Sequence, residues 1–295
     1  EADIVVINTC GFIESAKKAA INTILDIAWL KKHNGLKAII VTGCLAETAA
    51  ESLLRIDGID AVVGNGKKMD AARVMLELIA CGEKTGKTEI LRPSLEESGF
   101  EPMSITRFDR TRAYVKIEDG CESKCTYCAI SPARGRVRSK RPEDVISEVE
   151  ALHKSGTEEI VLTGIETGSY GKDFEGKYTL ADLIHDVAEK TEIKRIRLGS
   201  LEPSVLKKSF VDAIAKEPKF MPSFHLSLQS GSNKVLADMK RKYNREQALA
   251  VFLRVILSGE ACHAFRRGEF GIRLHLKAPC LIFSHVPVEG VNLKA

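Results

Sequence analysis

The sequence predicts an α/β protein: an N-terminal parallel α/β domain followed by at least four βα units of an open or closed parallel barrel. Three observations predict it. Short apolar runs alternate with segments of helical spacing, and parallel neighbours need such crossovers. A polar stretch at 82–110, broken by Gly82, Gly86, Pro93, Gly99 and Pro102, separates two series of this alternation. The length of 295 residues suits two domains at roughly 100–200 residues each.

The first run, Ile4-Val5-Val6-Ile7, ends in Asn8-Thr9-Cys10-Gly11 and reads as a buried parallel strand entered in mid-domain. Residues 15–32 place Ala19, Ala20, Ile24, Ile27, Ala28 and Leu30 at helical spacing, with Trp29 as a packing residue. A second strand over 37–41 ends at Thr42-Gly43-Cys44, and a third over 61–63 ends at Gly64. Ligands of parallel sheets gather at the carboxyl ends of the strands, so Cys10 and Cys44 are expected close together. This domain is read over 1–81 and the linker over 82–110. Beyond the linker the alternation resumes with strands over 113–117, 159–163, 195–198 and 224–228. Helices over 142–155 and 180–189, and helical stretches to about 257, complete at least four βα units of a barrel.

Composition bounds the function classes. Lys+Arg 44 against Asp+Glu 40 gives a net charge of +4, with 44% hydrophobic and 28% charged residues, which excludes disordered and collagenous classes. There is no run of about 18 or more apolar residues and no basic stretch leading into an apolar stretch and cleavage site. Membrane spanning and secretion are therefore not expected. The cysteines, Cys10, Cys44, Cys81, Cys121, Cys125, Cys128, Cys262 and Cys280, are too few and too uneven for a disulfide scaffold. A reducing cytoplasm, with cysteines as metal ligands, is the expectation.

The strongest signal is Gly120-Cys121-Glu122-Ser123-Lys124-Cys125-Thr126-Tyr127-Cys128, directly after the first strand of the second series. Three thiolates within eight residues suit one cluster. Structural zinc is the alternative, but zinc commonly takes four ligands, and the next candidate, His153, falls on a helix. Three ligands on a [4Fe–4S] cubane leave one iron open for a small molecule.

This spacing, with an aromatic before the last cysteine, resembles the radical S-adenosylmethionine (SAM) superfamily. Asn8-Thr9-Cys10, Thr42-Gly43-Cys44, Pro132-Ala133-Arg134-Gly135, Leu162-Thr163-Gly164, Thr167 to Gly171 and Leu228 to Ser232 narrow the resemblance to its methylthiotransferase family, over residues 1 to about 250. The resemblance implies that the N-terminal domain is truncated at its start, that residues 111–254 form a partial radical SAM barrel, and that the reaction is methylthiolation of either tRNA adenosine 37 or an aspartate of a ribosomal protein. It implies SAM bound at the Cys121, Cys125 and Cys128 cluster, and cleaved there to methionine and a 5′-deoxyadenosyl radical. It also implies a second [4Fe–4S] cluster, to which Cys10 and Cys44 match two of three ligands. An electron donor such as flavodoxin or ferredoxin is implied as a partner.

Other candidates are weighed beside this. Tyr127 belongs to the cluster motif. Gly164 and Glu166, after the second barrel strand, sit where the superfamily contacts the SAM amino group; a tight turn without ligand is the alternative. Ser200 is a similar strand-end candidate. Gln229 suits either SAM or substrate contact, or loop ordering. Arg134, Arg136, Arg138, Lys140 and Arg141 suit RNA phosphate binding, against the alternative of a solvated face. Lys240, Arg241, Lys242 and Arg245 form a second basic run. Cys81 is expected idle, and residues 255–295, with Cys262, His263, His275, Cys280 and His285, match nothing in the family. Subfamily cues divide. Residues 10–17 resemble the ribosomal-protein enzymes, whereas 163–171, 197–202 and 228–232 resemble the tRNA threonylcarbamoyl-adenosine enzymes. The latter lie in the catalytic half and favour tRNA.

Overall fold

In the computed structural model, residues 2–80, 89–91, 94–95, 98–101, 103–107, 111–257 and 271–276 are described, with backbone alone at 89–90, 252–257 and 271–276. Cys81, Cys262, His263, Cys280 and His285 lie outside the described residues, as does the side chain of His275. Two compact units emerge: Glu1–Met103 with Cys128–Arg136, and Ser104–Tyr127 with Val137–Ala295.

In the first unit, β1 (Ile4–Thr9), β2 (Ala38–Gly43), β3 (Ala61–Val63) and β4 (Glu89–Leu91) form one parallel sheet in chain order. The helices α1 (Glu14–Asn34), α2 (Cys44–Leu53) and α3 (Asp70–Ala80) provide the crossovers. Every residue of β2 is buried, because both faces of the sheet are covered. Ile39 and Val41 pack with Ile24, Leu45, Ala50 and Leu53 on one side, while Ile40 packs with Val63, Ala71 and Val74 on the other. Gly35, left-handed at φ 74°, ends α1. Two expectations are corrected here. The 82–110 stretch is not all linker, since β4 pairs with β3 from Ala61↔Glu89 to Val63↔Leu91. Trp29 is not core: it is 59% exposed and stacks on His33 at 4.2 Å. A short helix, α4 (Ile130–Arg134), also belongs to this unit.

The second unit has a parallel sheet of β5 (Arg112–Lys116), β8 (Glu159–Thr163) and β9 (Arg195–Leu198) in the order β5-β8-β9. A second parallel sheet orders β10 (Ser200–Leu201), β11 (Ser223–Gln229) and β12 (Gly271–Leu276). β12 falls in the stretch where sequence assigned nothing. Register sets the two faces of the first sheet. Ala113, Val115, Ile160, Leu162, Ile196 and Leu198 enter one core with Val149 and Leu152 of α5 (Pro142–Lys154) and Leu183 and Val187 of α6 (Leu180–Lys190). The opposite face is polar: Glu159 takes Arg112, Arg195 and Arg197 at 3.3, 2.8 and 2.6 Å. A capping box between Thr179 and Asp182 starts α6. The remaining helices are α7 (Lys208–Ile214), α8 (Asn233–Asp238) and α9 (Arg245–Leu257). Among the described residues no helix is long and apolar enough to cross a membrane.

Candidate cluster and SAM site

A two-residue antiparallel ladder stands at the base of the cysteine loop: β6 (Glu118–Asp119) pairs with β7 (Arg138–Ser139) in the register Glu118↔Ser139 and Asp119↔Arg138. The chain thus leaves β5, makes its excursion and is fastened where it returns. Asp119 accepts Lys116 at 2.6 Å and lies 3.8 Å from buried Arg138. Lys140 N donates to Ile117 O at 2.7 Å, while its Nζ pairs with Glu148, both side chains being only 2% exposed.

These contacts correct the reading of the basic run. Arg138 and Lys140 face buried acids rather than a polyanion. Arg134 is half-buried and donates from Nε to the Cys44 sulfur at 3.1 Å, within the first unit. Arg136 and Arg141 are exposed, and Arg141 is held by Asp144 at 2.9 and 3.1 Å. Arg241 of the second run is also half-buried: its Nη1 donates to Glu202 at 3.3 Å and its guanidinium lies 5.7 Å from the Tyr127 ring centre.

Cys121, Cys125 and Cys128 are half-exposed, and none of them is in a disulfide. Ser123 N donates to Cys121 Sγ at 3.4 Å and Ile130 N to Cys128 Sγ at 3.3 Å. Burial pushes the Cys121 thiol pKa up, and the nearby Glu166 charge adds to it. Among the described residues no three His, Cys, Asp or Glu side chains meet around a single ion. Soft sulfur donors in one short loop are the ligand chemistry that iron–sulfur clusters use, so the donor set fits such a group.

At the end of β11, Gln229 is buried with a left-handed backbone, φ 68°, after a register shift that begins at Leu226. A side-chain-bearing residue held there marks a locally over-determined site. The Tyr127 phenol donates to Gln229 Oε1 at 3.2 Å and accepts from Arg241, so Tyr127, Gln229, Arg241 and Glu202 form one network.

Gly164 follows β8. A Cβ there would lie 2.6 Å from Glu118 Oε2 and 2.9 Å from Glu118 O, so only glycine allows this approach. Glu118, fully buried, accepts the backbone N–H of Ile165 at 3.2 Å and of Glu166 at 3.0 and 2.9 Å. Burial drives the Glu118 carboxyl up to about 8, against these hydrogen bonds, which favour its charged form. Burial, with the Glu202 charge, takes Glu166 up to about 7. Ser200 is exposed, its Oγ 2.7 Å from His225 Nδ1.

In the first unit, the ladder ends with Thr9 opposite Gly43, and Cys10 and Cys44 follow directly on these two residues, Cys44 as the first residue of α2. Gly43, φ 97°, makes the turn possible: a Cβ would stand 2.3 Å from Thr9 O. Cys10 is exposed and Cys44 buried.

Sequence reasoning did not single out Glu118, Glu202 or Asn65, and it placed Arg241 in a surface run. Glu118 carried a usable signal, an ionisable residue directly after an apolar strand and two before Gly120. The partners of Arg241 and Asn65 are too remote in sequence to have signalled.

Comparison with known proteins agrees with this geometry. Residues 115–259 match the Radical SAM superfamily model, and residues 1–64 match the model described as Uncharacterized protein family UPF0004. The ribosomal protein uS12 methylthiotransferase RimO of Clostridioides difficile (strain 630) is 37% identical over 253 residues, covering 84% of this chain and 55% of that protein. The threonylcarbamoyladenosine tRNA methylthiotransferase MtaB of Bacillus subtilis (strain 168) is 36% identical over 247 residues, covering 83% and 53%. The chain spans about half the length of these relatives. In fold it is similar to the radical SAM methyltransferase TsrM of Kitasatospora setae, at TM-score 0.65 and 14% identity over 92% of this chain and 57% of that one. The cobalamin-dependent radical SAM enzyme OxsB matches at TM-score 0.58 and 14% identity over 93% and 40%. With the fold, the strand-end cysteines and relatives of both substrate types in agreement, the chain belongs to the methylthiotransferase family of radical SAM enzymes.

Proposed function

We propose that the chain carries the cluster-binding and SAM-binding parts of a methylthiotransferase acting on tRNA, at the threonylcarbamoyl-adenosine next to the anticodon. The observation that carries the radical SAM reading is the Cys121-Cys125-Cys128 loop fastened at its base by the β6–β7 ladder. When bound, a [4Fe–4S] cluster on these thiolates supplies an open iron for SAM and the electron that breaks its sulfonium bond. The chain's own residues position the rest. Tyr127 is fixed by Gln229 and Arg241 at the mouth of the loop. Glu118 sets the backbone of residues 164–166, the stretch assigned to the SAM amino group. Gln229 ends β11, whereas Ser200, which follows β9 and Gly199, opens β10 opposite His225. Cys10 and Cys44 supply two of the three ligands of a second cluster in this reading, Arg136 and Arg141 are exposed for phosphate contact, and flavodoxin or ferredoxin donates electrons in the cytoplasm.

Support for tRNA comes from segments 163–171, 197–202 and 228–232, all in the unit that carries the SAM-assigned loop. A second reading, the ribosomal protein, is favoured by residues 10–17 and by the uS12-directed relatives at 37% identity. Nucleoside mass spectrometry decides between them in a host deleted for its own enzyme. With the gene supplied, methylthiolated threonylcarbamoyl-adenosine is the expected product. Unmodified tRNA together with a methylthiolated ribosomal protein reverses the assignment.

A further inference from the structure

The short helix α8 ends in a turn that takes hold of the cysteine loop. Lys240, the second residue after the helix, is left-handed at φ 55°, a conformation that glycine usually supplies at this place. Lys240 N donates to Ala237 O and Arg241 N to Leu236 O, both at 2.9 Å, which closes the helix end. An α-helix leaves its last carbonyls without intrahelical partners, and here those of Asp238 and Met239 accept from the loop. Thr126 Oγ1 donates to Asp238 O at 3.0 Å and Thr126 N to Met239 O at 3.4 Å. The turn then delivers Arg241 onto the next residue of the loop. Its Nη2 donates to the Tyr127 phenol, whose own proton goes to Gln229 Oε1 at 3.2 Å, and its Nη1 donates to Glu202 at 3.3 Å. The Arg241 side chain is only 10% exposed, and its Nε is buried with no hydrogen-bond partner among the described residues. Tyr243, two residues on, donates to Ser227 O at 3.0 Å and ties the segment back to β11. Gln229 and Lys240, the left-handed residues other than glycine among those described, bracket this segment at its two ends. Backbone of this kind persists only where the surroundings over-determine it.

We propose that Arg241 is a positioning residue for the cysteine loop: with the Lys240 turn it clamps Thr126 and Tyr127, and so fixes the loop before any cluster is loaded. All the groups of the clamp belong to the second unit. Desolvating a guanidinium with one donor unsatisfied costs free energy, so stability alone does not explain the arrangement. Its planar fork holds Tyr127 and Glu202 in fixed directions, which a flexible ammonium does less well. What the clamp does for the reaction rests on the reading of the triplet as the SAM-binding cluster loop. A loop already in shape loses less freedom when SAM binds, so SAM binds more tightly. Arg241 therefore serves inward, whereas Lys240, Lys242 and Arg245 are the exposed members of the second basic run.

Amide hydrogen exchange of the full chain, free of iron and with its thiols reduced, tests the clamp without reference to a cluster. In Arg241→Met, peptides covering 122–127 are expected to exchange about tenfold faster, as one charge-assisted hydrogen bond is lost, while α6 keeps the parent rate. Arg241→Lys is expected to recover part of the protection. Tyr127→Phe, which removes the hydroxyl that Arg241 grips, is expected to speed the loop as well; it carries the test if Arg241→Met does not fold, and parent rates in it then overturn the inference. In the iron-loaded chain, the SAM concentration that half-converts the EPR signal is expected to rise about tenfold in Arg241→Met and by less in Arg241→Lys. Loop exchange at the parent rate in Arg241→Met overturns the inference. So does faster exchange in the loop and α6 alike, which would make Arg241 a general support of the fold. A parent spectrum indifferent to SAM contradicts the SAM reading instead, and the exchange rates still decide the clamp.

Discussion

Cys125→Ser is expected to abolish SAM cleavage. Cys125 stands in the middle of the triplet, in a turn where its N–H donates to Ser123 O at 2.8 Å, and its thiol is half-exposed. Removing it leaves two thiolates, too few to hold a cubane with one defined open iron. Loss of an outer-shell partner typically costs about 10–100-fold in metal affinity or activity, and loss of a ligand exceeds that. The substitution is nearly isosteric at a half-exposed position, so thermal stability of the unloaded chain is expected to change by less than about 0.5 kcal/mol. The measurement is 5′-deoxyadenosine released per loaded chain. Unchanged release in the variant would remove the triplet from the mechanism.

Lys140→Met is expected to be the most damaging single change to stability in the second unit. Lys140 and Glu148 are both 2% exposed and paired, and Glu148 Oε1 also takes the N–H of Ile105 at 2.8 Å. Truncating one partner of a buried ion pair strands the other, at about 3–5 kcal/mol. The cost is conditional on the stranded carboxylate. In Lys140→Met/Glu148→Leu both charges are gone, and most of the loss should be recovered. Urea unfolding of the single and double variants measures this. If Lys140→Met keeps the parent midpoint but weakens tRNA binding in a salt-dependent manner, the side chain faces RNA after all.

The contrast between Lys140 and the strands shows where sequence reasoning reached and where it stopped. Strands β3, β8 and β9 stand at their predicted limits: β3 is a continuous apolar run buried throughout, whereas β9, Arg195-Ile196-Arg197-Leu198, carries the two-residue alternation of a strand with one polar face. β4 escaped because three residues inside a polar, glycine-broken stretch carry no period; its existence is dictated by pairing with β3. The β6–β7 ladder is shorter still and joins Asp119 to Arg138 across the cysteine loop. For the same reason the five cations of 134–141 read as one face in sequence, although Arg138 and Lys140 turn to acids at 119 and 148 and Arg134 to a sulfur at 44. The cysteines were legible because their chemistry needs adjacency in sequence. Glu118, Arg241 and Asn65 serve through partners that lie on other elements, Glu118 at residues 165–166, Arg241 at Tyr127 and Glu202, and Asn65 at Ala133 and Cys44, and only the fold brings those together.

The central claim is that the Cys121, Cys125 and Cys128 loop holds a cluster that binds SAM. EPR of the anaerobically reconstituted chain, recorded reduced with and without SAM and compared with the Cys121→Ser/Cys125→Ser/Cys128→Ser variant, tests it directly. The account predicts about four irons lost on removing the triplet, and a signal that changes on adding SAM only when the triplet is present. About one zinc per chain, with a spectrum indifferent to SAM, would contradict it.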